Sequence, residues 1–238
     1  FLMIRRAPRS TRKESSAASD VYKRQDQMIQ ELLDMGIKDF RVLDALSQVS
    51  RHIFLDEALW SRAYENMALT IGYKQTISQP YIVARMTEHL ISHTSRRGKV
   101  LNQVLEIGSG CGYQSAVLSH FANDVFAVER IKPLVLKSRE NLRDLKIRNV
   151  EVKHANGFDG WEENKKFDGI ICAAAPRKYP EELLELLEIG GKLVIPAGNE
   201  GEQKLYVVTK ISDTENEEII HEDVAFVPML PGISNGEI

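Results

Sequence analysis

The stretch Val104-Leu105-Glu106-Ile107-Gly108-Ser109-Gly110-Cys111-Gly112-Tyr113-Gln114 constrains the chain more than any other. A short apolar run, read as a buried strand, leads into glycines at alternate positions, and a helical pattern starts at Tyr113. Glycine permits the sharp turn, and its missing Cβ lets a ligand approach the main chain. The N–H groups of the following helix would face that ligand. The next apolar run, Val125 to Val128, closes on Glu129. That spacing suits a carboxylate gripping the two hydroxyls of a ribose. The pattern is that of a nucleoside-binding α/β domain.

The flanking sequence supports it. Apolar runs predict strands near 102–107, 124–128, 149–153, 168–172 and 191–196, with helices near 113–121, 133–145 and 180–188. Such alternation implies a parallel sheet with helices on both faces. Residues 26–60 read as helices, 61–77 as loop with a short strand, and Ser78-Gln79-Pro80 as the start of another helix. Lys204–Ile211 and Glu222–Val227 read as a closing antiparallel pair around a charged turn at Asp213–Glu218.

The glycine spacing is G-x-G-x-G, which lacks the third glycine of the G-x-G-x-x-G hydride-transfer fingerprint. This points away from a nicotinamide and toward S-adenosylmethionine. Asn156-Gly157 follows the third strand of the unit, where ligands collect in an open sheet; its amide can pair with an adenine edge, or the two residues form a plain turn. Ser78 either donates to an anion at a helix N-terminus or merely caps the helix. His89 and His93 stand four apart, but without an H-E-x-x-H pattern or a third ligand no metal site is expected there.

No apolar run approaches the roughly 18 residues needed to cross a membrane. Two cysteines, Cys111 and Cys172, are too few for a disulfide framework and fit a reducing cytosol. Residues 1–25 differ from the rest: seven basic residues against Glu14 and Asp20 give +5, so the overall −3 leaves −8 for residues 26–238. The segment reads as a disordered or non-native leader, with a transit peptide or a basic nucleic-acid arm as alternatives; the acidic body disfavours the last. Residues 26–238 are expected to form one domain.

Together these residues resemble the protein-L-isoaspartate O-methyltransferase family from about Met28 to Ile233. The segment from Gln75-Thr76-Ile77-Ser78-Gln79-Pro80 to Met86 is the most specific. The glycine turn, Phe167-Asp168-Gly169-Ile170-Ile171 with Ala174-Ala175-Pro176, Gly190 to Pro196, and Phe226-Val227-Pro228 follow in family order. The resemblance implies a doubly wound, mostly parallel Rossmann-like methyltransferase sheet with N-terminal helices and a C-terminal antiparallel strand pair. It implies methyl transfer from S-adenosyl-L-methionine to the α-carboxylate of L-isoaspartyl residues in damaged proteins and peptides. It places Ser78 as the catalytic hydroxyl, with Thr76 and Ile77 beside the substrate. It places Glu106, Gly108, Ser109, Gly110, Gly112, Glu129, Arg130, Asn156 and Gly157 on the cofactor. Three positions depart from the family: Asn156 for Asp, Ser50 for Pro in Val49-Ser50-Arg51, and Ala225 for an Arg common in bacterial relatives. The expectation is a monomeric cytoplasmic repair enzyme with no nucleic-acid or membrane partner. The alternatives are a related methyltransferase with another acceptor, or a non-catalytic nucleoside-binding module.

Overall fold

Period-two alternation along the apolar runs sorts their side chains onto two sheet faces. Val104, Val125, Ala127 and Ile171 enter one core, and Leu105, Phe126, Val128 and Ile170 enter the other. The computed structural model describes residues 10–92, 98–161 and 165–236. Its main sheet has seven strands in the order β5-β4-β3-β6-β7-β8-β9. These are β3 Leu101–Ile107, β4 Ala122–Glu129, β5 Val150–His154, β6 Phe167–Cys172, β7 Leu187–Ala197, β8 Lys204–Lys210 and β9 Asn216–Asp223. Strands β3 to β7 pair in parallel, and β8 runs antiparallel between β7 and β9. Strand β3 is central, with its sequence successor β4 on one side and β6 on the other. The strand order therefore reverses there, and ligands of such sheets bind at that crevice.

Helices α1 (Ser10–Asp34), α2 (Phe40–Gln48), α3 (Pro80–Ile91), α4 (Tyr113–Leu118) and α5 (Lys132–Asp144) contribute apolar residues to the first core. The short α6 (Glu182–Glu185) and the loops around Phe158, Trp161 and Tyr179 cover the second. Among the described residues, no helix is long and apolar enough to cross a membrane.

Several boundaries depart from the sequence expectation. The leader boundary at residue 25 falls inside α1. Residues 1–9 lie outside the described part, but Val21 already packs on the core and the buried Gln25 donates to the carbonyls of Leu46 and Ser47 at 3.1 and 2.7 Å. Gln25 thus satisfies carbonyls that the end of α2 leaves open. The helix expected at 180–188 shrinks to α6, because Leu187 joins β7 opposite Phe167, five residues before the main pairing resumes at Gly169 and Lys192. The final strand begins at Asn216 rather than Glu222; the acidic residues read as a turn, Glu217 and Glu218, instead lie on the sheet edge, where charge discourages pairing with another chain.

Residues 61–77 hold a hairpin, β1 (Leu69–Gly72) and β2 (Gln75–Ile77). Its turn puts Tyr73 and Lys74 at φ 52° and 56°, a conformation that their side chains do not announce.

One contact sets the position of α3. Gly169 of β6 has no Cβ, and one built there would stand 2.6 Å from a Leu90 methyl. Leu90 is fully buried and has no room to retreat. Gly169→Ala is expected to destabilise the protein by about 1–3 kcal/mol, the usual cost of overpacking, as read by denaturant melts. A variant of unchanged stability would show that α3 is free to shift.

Candidate functional site

The glycine turn leaves β3 with Gly108, Gly110 and Gly112 at φ +85°, +52° and +90°, so all three occupy the left-handed region. The amides of Gly108 and Ser109 both donate to the Val128 carbonyl, at 2.8 and 3.2 Å, and tie the turn to β4. Gly112 caps α4 and is absent from the cleft wall; a Cβ there would lie 3.2 Å from Ser138 on α5, so its role is helix packing.

Above the turn lies a cleft whose empty space, open mouth included, is about 950 Å3. Its wall includes Thr76, Ile77 and Ser78, then Glu106, Gly108, Ser109 and Gly110, then Glu129, Arg130 and Gly157. Ten of the sequence-derived positions therefore converge on one cavity. Asn156 does not join them. Its Oδ1 accepts from the Phe158 amide at 3.4 Å and its amide donates to Asp159 at 3.0 Å, so its side chain caps the following turn. Gly157 carries that loop to the cleft, where a Cβ would press within 2.6 Å of Ile107 Cγ2.

Two carboxylates shape the electrostatics. Glu129 ends β4 and accepts from the Gly110 amide at 2.9 Å and the Ile131 amide at 2.9 Å. Burial nevertheless raises its pKa, because desolvation outweighs these bonds. Glu106 is fully buried; Ser115 donates to its Oε2, while its Oε1 has no partner. Desolvation, opposed by the Ser115 bond and reinforced by Glu129, pushes its pKa up to about 8. The buried hydroxyl of Ser109 is also without a partner. Buried polar atoms left unpaired on a cavity wall are what a polar ligand would satisfy.

Cys111 lies on this wall and Cys172 beside it; burial pushes Cys111 up to about 11 and Cys172 up to about 12, which disfavours a thiolate at either.

Ser78 precedes α3 and does not cap it. Gln79 holds the cap position, Pro80 starts the helix, and the amide of Tyr81 is taken by Asn66 Oδ1 at 2.9 Å. The Ser78 hydroxyl is left without a hydrogen bond to any described residue, and the residue lines two cavities. Thr76, Ser78, Ala173 and Val227 line both the cleft and a second groove of about 810 Å3, whose far wall is Asp223 to Val227. The groove is open where the family pattern would place an arginine, since Ala225 is short and exposed.

The sequence reading did not assign the roof of the cleft. After β9 the chain crosses the carboxyl ends of the strands. Gln203 holds Phe226 by two bonds, at 2.6 and 3.1 Å, and Ala175 pairs with Val227 and Met229. Farther on, Ser234 bonds Arg130 and Lys132. Val227, Pro228, Met229 and Leu230 thereby close over the turn. Phe226-Val227-Pro228 had been noted only as a marker, and that was the available signal. Arg51, named above only within Val49-Ser50-Arg51, received no role from the sequence. It is fully buried, donates to the carbonyls of Ala63 and Met67, and lies 4.9 Å over the ring of Tyr113, bracing α4 from behind.

The comparisons with known proteins agree with this geometry. The family model for protein-L-isoaspartate(D-aspartate) O-methyltransferase matches residues 23–233. A protein-L-isoaspartate O-methyltransferase of Methylobacillus flagellatus is 53% identical over 210 residues, covering 87% of this chain and 92% of the relative. One of Cellvibrio japonicus is 49% identical over 211 residues, covering 87% and 91%. Among solved structures, a Plasmodium falciparum protein-L-isoaspartate O-methyltransferase in complex with S-adenosyl-L-homocysteine is 29% identical, with a TM-score of 0.73 over 86% of this chain and 97% of that one. The match at residue 23 also agrees with a fold that begins before residue 26. This chain belongs to the protein-L-isoaspartate(D-aspartate) O-methyltransferase family.

Proposed function

We propose that the protein is an S-adenosylmethionine-dependent repair methyltransferase, with the L-isoaspartyl α-carboxylate as acceptor and Ser78 as the residue that orients it. The observation that carries the assignment of Ser78 is its place on the wall shared by the glycine cleft and the open groove.

The residues present fit the cofactor. Unpaired buried oxygens at Glu106 and Ser109 and a preset carboxylate at Glu129 offer a nucleoside carrying an amino-acid tail the contacts it needs, with Gly157 on the same wall. Glu129 suits the ribose hydroxyls, Glu106 and Ser109 the charged and polar end, and Arg130 the cleft margin. When bound, S-adenosylmethionine supplies an activated methyl group on a sulfonium centre. The acceptor carboxylate, with an ordinary pKa near 3.5–4, is already ionised at neutral pH, so the wall needs no general base. The task left to the protein is to hold the acceptor oxygen in line and keep water out, which can lower a barrier by several kcal/mol. The Ser78 hydroxyl donates to that carboxylate and fixes its direction. It remains a neutral donor, because a stronger grip on the anion would stabilise the ground state, whose charge is neutralised in the reaction.

A cytoplasmic setting belongs to the same reading, supported by two free, buried cysteines. The body's charge of −8, excluding residues 1–25, supports a protein rather than a nucleic-acid partner. Paired assays test the acceptor. Methyl transfer to an isoaspartyl peptide is expected to exceed that to its normal aspartyl twin by at least about a hundredfold, since positioning is the main discriminant. Equal rates would assign the enzyme a different acceptor.

A further inference from the structure

Helix α3 meets edge strand β9 at a cluster that the methyl-transfer site does not use. His89, in the last turn of α3, stacks on His221 with ring centroids 4.0 Å apart and planes inclined by 39°. One ligand atom from each of His89, His221 and Glu222 lies within 4.8 Å of the other two. The His89 Nε2 atom is buried and has no hydrogen-bond partner.

Consecutive residues of a regular strand point to opposite faces, so His221 and Glu222 would ordinarily diverge. Here the β8–β9 register slips between Lys204 and Tyr206: Asp223 pairs with Lys204 and Ile220 with Tyr206, which leaves an extra residue on β9. A bulge of this kind re-aims a side chain, and it lets both residues contribute to one cluster. The Glu222 carboxylate also accepts from Arg85 Nε at 3.1 Å. Arg85 in turn binds Glu88 at 2.8 Å, and Glu88 accepts from the amides of Lys38 and Asp39. That layer orients the carboxylate as outer partners orient metal ligands.

We propose that His89, His221 and Glu222 bind a zinc ion that clamps the C-terminal end of α3 to β9. Two imidazoles and one carboxylate suit zinc better than magnesium or calcium, which take oxygen donors. Zinc bonds of about 2.0–2.1 Å place tetrahedral ligands roughly 3.3 Å apart, so binding draws the three side chains together by up to about 1.5 Å, with water completing the shell. The half-buried His221 and Glu222 have room for that rotation. Roughly 13 Å of helix separates the cluster from the start of α3, so the ion acts on stability and not on the methyl-transfer step.

The test uses the full chain without a histidine tag, stripped with a chelator. Zinc titration by calorimetry is expected to give one site per chain and a higher Tm, which magnesium does not reproduce, and cobalt is expected to give the absorption bands of a tetrahedral site. His89→Gln and His221→Gln should each weaken zinc binding by at least about tenfold while retaining isoaspartyl methylation, which shows that the variants are folded. His221→Gln, on the sheet edge, keeps the test decisive if His89→Gln fails to fold. No binding by the wild type at micromolar zinc would overturn the proposal. So would one zinc bound equally well by His221→Gln, or binding lost on alkylation of the cysteines instead.

Discussion

Ser78→Ala is expected to lower kcat on an isoaspartyl peptide by about one to three decades, the span seen when one positioning donor is lost. The fold should be unaffected, because Ser78 caps nothing: Asn66 binds the first-turn amide of α3 and Pro80 starts the helix. Cofactor affinity measured by calorimetry should likewise stay within about twofold, since a small deletion at the far wall removes no buried pairing. The loss therefore belongs to turnover. Ser78→Thr keeps the hydroxyl and should restore part of the rate, whereas Ser78→Cys, a weak donor, should not. Full kcat in the alanine variant would remove Ser78 from the reaction.

The second large effect concerns Glu106. Its carboxyl is pushed up to about 8 by burial, from an ordinary 4.5. The folded protein therefore keeps a proton that the unfolded chain releases above about 4.5. The resulting stabilisation is complete below that pH and is lost as pH rises through about 8. Glu129 is shifted in the same direction and adds to the trend. Across this window the cofactor-free protein should lose stability on the order of a few kcal/mol. Glu106→Gln cannot ionise, so it should flatten much of that slope and be the more stable protein at pH 8. Its cofactor affinity should fall about tenfold, because an amide cannot pair with a cationic ligand as a carboxylate does. The two readouts move in opposite directions, as expected for a residue that favours function at a cost in stability. Calorimetry in buffers of different ionisation enthalpy adds a check: at pH 7 the wild type should release a proton on binding cofactor, and Glu106→Gln should release less. A variant that kept the wild-type pH slope would refute the assignment.

Legibility followed the range of the interactions. The glycine turn was readable because three positive φ angles and a strand-to-helix transition lie within a few residues. Glu129 was readable because strand β4 itself carries it to the same end of the sheet. Asn156 was recognised as a loop residue, but whether its amide faced a ligand or its own turn depended on Phe158 and Asp159, and the local bonds won. Ser78 was recognised as a residue at a helix start, yet its freedom to act rests on Asn66, twelve positions earlier. The Tyr73-Lys74 turn was missed because neither residue is the Gly or Asn that normally marks a primed turn.

The sequence by itself determined the α/β class, the alternation of strands and helices, the glycine turn and the family. These follow from periodicity, turn chemistry and motif spacing, all of which act over short stretches. Only the tertiary structure decided that the C-terminal segment roofs the cleft, that Gly169 lets α3 settle onto the sheet, that Arg51 braces α4, and that His89 meets His221 of β9; His93 lies outside the described residues. Each depends on groups more than ten residues apart, up to 132, being packed against one another, and local patterns do not report such pairings.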